Sequence, residues 1–156
     1  VDWEDIERTT GLAFPADYRE FVGSYGGGEI DEYLSVSTPP VPGSPYGDLL
    51  DRVNPALSDR DREELSALLP SGALPPLLPF ADTASSDVAF WLRLGAPDGW
   101  RVAVFRRQTP HGLSRWTIFD GGMASLCLAA LSGEADVFSE RLSAGEAHEF
   151  VSWRGA

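Results

Sequence analysis

The chain contains no lysine; all 12 of its basic residues are arginine. That excludes Schiff-base chemistry on a lysine amine. Cys127 is the sole cysteine, so no intrachain disulfide can form, and a reducing compartment such as the cytoplasm is the simplest context. The two histidines, His111 and His148, are too few and too far apart for a His-x-x-x-His pair, and no Cys-x-x-Cys spacing exists. A Gly-x-Ser-x-Gly nucleophile elbow and an Asp-x-Asp-x-Asp-Gly calcium loop are likewise missing. No apolar run approaches the roughly 20 residues needed to span a bilayer, and no basic-then-apolar leader suggests export. There is no internal repeat and no low-complexity tract.

What is present is acid and apolar surface. The 156 residues are 43% hydrophobic, enough for one good core and too few for two ordinary domains, so a single domain over residues 1–156 is expected. Against the 12 arginines stand 24 acidic residues, a formal charge of −12. Such a charge repels the phosphate backbone that supplies most nucleic-acid affinity, and it steers a basic protein partner inward at low salt.

The chain is organised around Thr10 to Val36. Pro15 suits the first turn of a helix, and Tyr18, Phe21, Val22 and Tyr25 follow at the spacing of one helical face. Gly26, Gly27 and Gly28 stop that helix, and Ile30, Leu34 and Val36 recur at the even spacing of a strand. A phosphate-binding role for the glycines is disfavoured. Phosphate loops follow a strand and open a helix, whereas these glycines sit at the negative end of a helix and run into Glu29, Asp31 and Glu32.

Before this stretch, Asp2 to Thr9 reads as two helical turns with Trp3 and Ile6 inward, ended by Gly11. After it, the prolines of Ser37 to Gly47 demand a surface loop, and Asp48 to Val53 suggests one helical turn. Ser58 then N-caps a helix through Leu69, with Asp59, Asp61, Glu63 and Glu64 near its positive end. Strand patterns begin at Phe80. Val88 to Leu94 and Trp100 to Phe105 form a β-hairpin about Gly95 to Gly99, and Arg115 to Phe119 extends it to a three-stranded meander. Trp91 and Phe105 fall out of phase with the first apolar set, so both faces of this sheet are partly apolar. Met123 to Leu131 is a helix with Gly133 beyond its end, Ala135 to Phe150 suggests a short helix, and Glu149 to Trp153 an edge strand.

The fold expected is α+β: a central, mostly antiparallel sheet of about five or six strands with helices packed mainly on one face. Candidate chemistry is thin. Cys127 lies in an apolar helical stripe and reads as an inert buried thiol, while His111 and His148 lack a partnered acid or base in sequence. Neither a catalytic residue nor a metal or cofactor site is expected. Trp91 and Trp100 flank one turn and Trp116 lies on the next strand, so part of this set is a candidate exposed aromatic surface for a partner.

Several residues carry a resemblance. Trp3, Ile6 and Glu7 in a first helix, then Gly11, Pro15, Asp17, Tyr18, Phe21, Tyr25 and a Gly-Gly turn before a strand, resemble the amino-terminal signature of the SUKH superfamily. Pro76-Leu77-Leu78-Pro79-Phe80-Ala81-Asp82, a polar turn and the strand Val88 to Leu94 resemble the next signature, and a late helix, Ser125 to Leu131, follows in order. The resemblance implies a non-enzymatic immunity protein that binds a cognate toxin of a polymorphic or contact-dependent system and blocks it by occlusion. The charge of −12 suits a basic nuclease as that partner, with Glu29, Asp31, Glu32, Asp48 and Asp51 the first candidates for contacts. The superfamily also includes fungal cell-wall synthesis regulators, which makes an intracellular adaptor domain the alternative. A rival of a different class is a hydrolase built on Asp82, Asp87 and Asp120, with His111.

Overall fold

The computed structural model describes residues 2–39, 57–110, 112–140 and 147–153. The chain opens with helix α1 (Trp3–Thr10), capped by the Asp2 carboxylate on the Asp5 N–H and closed by Gly11 at φ 72°. Helix α2 (Ala16–Tyr25) follows directly on Pro15 and ends at Gly26, which has a positive φ of 75° with an extended ψ of −169°. Of its expected face, Tyr18 and Val22 are fully buried and Phe21 half-buried, but Tyr25 is 55% exposed.

Ile30 to Val36, expected as one strand, is a hairpin of β1 (Gly28–Ile30) and β2 (Leu34–Val36). Asp31 and Glu32 both adopt φ 54° in the turn between them, and the Tyr33 N–H closes it on the Ile30 carbonyl at 3.0 Å. This is one reason the sheet has seven strands among the described residues rather than five or six. Helix α3 (Asp59–Leu68) carries a full capping box between Ser58 and Asp61. Then come β3 (Leu77–Thr83), β4 (Val88–Leu92), a 3-10 turn at Pro97–Gly99, β5 (Arg101–Phe105), β6 (Trp116–Phe119), helix α4 (Met123–Leu131) and β7 (Phe150–Ser152). The strands form one antiparallel sheet in the order β6-β5-β4-β3-β2-β1-β7. A bulge between Pro79 and Ala81 accommodates a proline, which has no ladder N–H, inside β3.

Each strand of the meander feeds two cores, because successive side chains point to opposite faces. Ala89 and Trp91 of β4 and Val102 and Val104 of β5 join Tyr18, Val22, Met123 and Leu126 beneath α1, α2 and α4. Val88, Phe90, Leu92, Ala103 and Phe105 join Leu65 and Leu69 beneath α3. Among the described residues the helices thus lie mainly on one face, with α3 alone on the other. The α+β architecture is the expected one.

Two helix starts are capped from a distance, α4 by Asp17, whose Oδ2 accepts the Ala124 N–H at 3.1 Å, and α2 by Asp98. The α2 terminus has no side-chain cap of its own, and the Ala16 N–H instead donates to Asp98 Oδ1 at 2.8 Å from the 3-10 turn. Among the described residues of 134–140 there is no helix; Val137 and Phe138 are buried in the larger core by an irregular segment. Arg106 holds that segment, its side chain donating to the carbonyls of Val137 (2.7 Å) and Asp136. The helical turn expected at Asp48 to Val53 and most of the proline loop lie outside the described residues.

Candidate partner-binding surface

The acidic residues of the first hairpin converge with the carboxyl end of the described chain. β1 is hemmed in on both sides: a Cβ at Gly28 would stand 2.3 Å from the Val151 carbonyl oxygen, and one at Gly27 would stand 2.8 Å from Thr38 Cγ2. These two glycines therefore serve strand packing as well as following the helix end. Glu29 pairs with Val151 across the β1–β7 ladder and is half-buried, while Glu32, at the turn, and Glu149 are exposed.

Asp31 is not a free surface charge. Its Oδ1 accepts the Glu149 N–H at 2.8 Å, its Oδ2 stands 2.5 Å from His148 Nδ1, and its own N–H donates to the Glu149 carbonyl at 2.8 Å. Burial pushes the Asp31 carboxyl up, but the Glu149 N–H, the His148 hydrogen bond and the His148 charge outweigh it and leave the group below its ordinary value. The other ring nitrogen, His148 Nε2, lies 3.0 Å from the Leu131 carbonyl at the end of α4. Asp31 and His148 are 117 positions apart, so no spacing rule could have paired them. Asp48 and Asp51 lie outside the described residues.

The expected aromatic surface is corrected by the fold. Trp91, Trp100 and Trp116 are 0%, 7% and 4% exposed. Trp91 sits edge-on to Tyr18 at 4.8 Å and stacks on Phe80 at 4.6 Å. The indole N–H of Trp100 donates to the Gly95 carbonyl at 3.0 Å, and its ring lies 5.7 Å from the Arg93 guanidinium. Trp116 donates to the Asp61 carbonyl at 2.8 Å and so anchors α3 to the sheet. Each indole that flanks a turn in sequence points into one of the two cores, and none offers a partner an open ring.

The carboxylates of the hydrolase reading do not assemble. Asp87 is fully buried, accepting from the Ser139 N–H (2.7 Å), Ser139 Oγ (2.5 Å) and Thr83 Oγ1 (3.1 Å), with Tyr33 Oη at 3.4 Å. These bonds tie the 137–140 segment to the β3–β4 turn. Asp82 is the cross-strand partner of Val88 and shares its face, while Asp87, one residue before Val88, points the other way. Asp120 is exposed beyond β6, and His111 lies outside the described residues. Among the described residues no group of three His, Cys, Asp or Glu side chains could hold a metal ion. Cys127 is buried in the larger core, where loss of hydration and the charge of Asp17 push its thiol up to about 12.

The SMI1 / KNR4 family (SUKH-1) model matches residues 1–120. The chain belongs to this family. No curated protein and no solved structure matches it. The SUKH-1 match covers α1 through β6 and stops at the turn before α4, so α4, the buried pair Val137 and Phe138, and β7 lie past it. Those later elements are nonetheless bonded into the SUKH-1 region at named points: Asp17 to α4, Asp87 to Ser139, and Asp31 to His148 and Glu149. Among the described residues no helix is long and apolar enough to cross a membrane.

Proposed function

We propose that this chain is a non-enzymatic immunity protein that binds a cognate polymorphic or contact-dependent toxin in the cytoplasm and neutralises it by occlusion. The observation that carries this reading is the SUKH-1 match over residues 1–120. A formal charge of −12 supports a basic toxin domain, such as a nuclease, as the partner. Within that reading the contact surface is the β1–β2 turn and the start of β7, where Glu29, Glu32 and Glu149 supply charge around the Asp31–His148 pair. Exposed carboxylates of this kind raise the association rate and salt sensitivity more than they add affinity.

The test is binding to, and protection from, the product of the neighbouring reading frame, measured by calorimetry at low and high salt. Tight, salt-sensitive binding that abolishes the neighbour's toxicity is expected. Reversing Glu32 and Glu149 to arginine should weaken it about tenfold, or about 1.4 kcal/mol. Binding that ignores both the reversal and the salt would move the interface elsewhere. No binding to any neighbouring product would leave the adaptor role of the wider superfamily as the better account.

A further inference from the structure

His148 is held at both of its ring nitrogens. A neutral imidazole carries a single N–H, so it can donate from one nitrogen only and presents a lone pair at the other. Both ring nitrogens of His148 face oxygen acceptors: Asp31 Oδ2 at 2.5 Å and the Leu131 carbonyl at 3.0 Å. A neutral ring would set a lone pair against one of these oxygens. Only the imidazolium satisfies both.

Among the described residues, several acidic groups and a helix end near it favour that cation. The hairpin contributes Asp31, Glu32 and, on β1, Glu29; β7 begins with Glu149. Leu131 is the last residue of α4, where carbonyls lack intrahelical partners and the helix dipole is negative, and the last turn holds no basic side chain. Glu134 follows two residues beyond Ser132. The Arg106 guanidinium is 3.7 Å from Asp136 and is taken up by the 136–137 carbonyls.

β7 depends on this contact more than an interior strand would. It is three residues long, none of them buried, and pairs on one side with β1. The Asp31 carboxylate grips its first turn twice, through the Glu149 N–H and through His148. The geometry points to a protonation latch: the His148 imidazolium, bridging Asp31 and the carboxyl end of α4, fastens edge strand β7 to the sheet, and its deprotonation releases that strand.

The sign follows from linkage. Loss of the second ring proton would leave Asp31 Oδ2 or the Leu131 carbonyl facing a lone pair, so the contact weakens when the imidazolium deprotonates. Asp31, lowered on folding, stabilises the strand above its unfolded value and fails as pH falls through its folded one. The latch is closed between those two limits.

The experiment is amide exchange by NMR on the wild type and on His148→Gln, from about pH 5.5 to 8.5, with rates corrected for intrinsic exchange and the His148 ring followed in parallel. The reporters are the Asp31 N–H on the Glu149 carbonyl and the Trp153 N–H on the Gly27 carbonyl; the Val102 and Val104 amides of β5 serve as the control. In the wild type, protection of the two β7 reporters should fall about tenfold as the His148 ring titrates, the size of one charge-assisted hydrogen bond, while the controls hold. In His148→Gln that pH dependence should vanish, whether β7 stays docked or is permanently loose. Asp31→Asn should behave likewise. Reporter protection that is flat through the His148 titration in the wild type, or that still changes with pH in His148→Gln, would overturn the latch.

Discussion

Asp17, in the first turn of α2, caps the start of α4: its Oδ2 accepts the Ala124 N–H at 3.1 Å, from 107 positions away in sequence. Gly122, the residue before α4, has no side-chain cap to offer, and a Cβ there would come within 2.5 Å of the same Asp17 oxygen. The two features are one device, a glycine that leaves room for a carboxylate supplied by another helix. Asp98 does the same for α2 through the Ala16 N–H. The helices of the larger core are thus joined by their termini as well as by their apolar faces.

Asp17→Ala should therefore cost about 1 kcal/mol, the usual worth of an N-cap. Gly122→Ala should cost about the same, because the new methyl displaces the flexible end of Asp17 and not the backbone. The informative measurement is the double-mutant cycle by urea unfolding. Once either change has removed the cap, the second should add little, so the pair couples by about 1 kcal/mol. Additive losses would show that Gly122 and Asp17 act separately.

Gly28→Ala tests the packing of β1 against β7. Gly28 does not have a positive φ, so the substitution strains nothing by itself. Its Cβ, however, would lie 2.3 Å from the Val151 carbonyl and 2.7 Å from Phe150 Cζ, and the first of these is backbone that cannot swing aside. Overpacking of this kind costs about 1–3 kcal/mol. The expected result is loss of exchange protection at Asp31 and Trp153 at every pH, with the β4–β5 ladder unchanged.

Local rules read much of this fold. The Ser58 cap, the hairpin about Gly95 to Gly99, helix Met123 to Leu131 and the last edge strand all follow from short-range pattern, and all are present. The first hairpin was hidden because Asp31 and Glu32 occupy a left-handed turn that glycine or asparagine would normally announce. Even spacing at Ile30, Leu34 and Val36 suits one strand as well as two. The indoles misled for a related reason: position beside a turn says nothing about which face a side chain takes, and the alternation of β4 sends Trp91 inward. Of the acidic candidates, Glu29 and Glu32 were legible as charge, but the engagement of Asp31 by His148 and Glu149 was not. That pairing exists only once β7 has crossed to the far side of β1.

Cys127 supplies the last prediction. With its thiol pushed up to about 12, the native protein at pH 8 holds about one thiolate in ten thousand, against roughly one in four for an ordinary exposed cysteine of value about 8.5. Native Cys127 should thus react with a disulfide reagent about a thousandfold more slowly than the unfolded chain, and its rate should follow unfolding as urea is added. The same shift sets a stability slope. Between the unfolded and folded values the unfolded state binds fewer protons, so stability, complete below about pH 8.5, should fall by up to about 1.4 kcal/mol per pH unit above it. Tyr18, also raised by burial, acts in the same direction, but its ordinary value lies higher, near 10.0. Over pH 8.5 to 10 the slope should accordingly be lost in Cys127→Ala and kept in Tyr18→Phe. If Cys127→Ala retained it, the thiol would not be the group responsible.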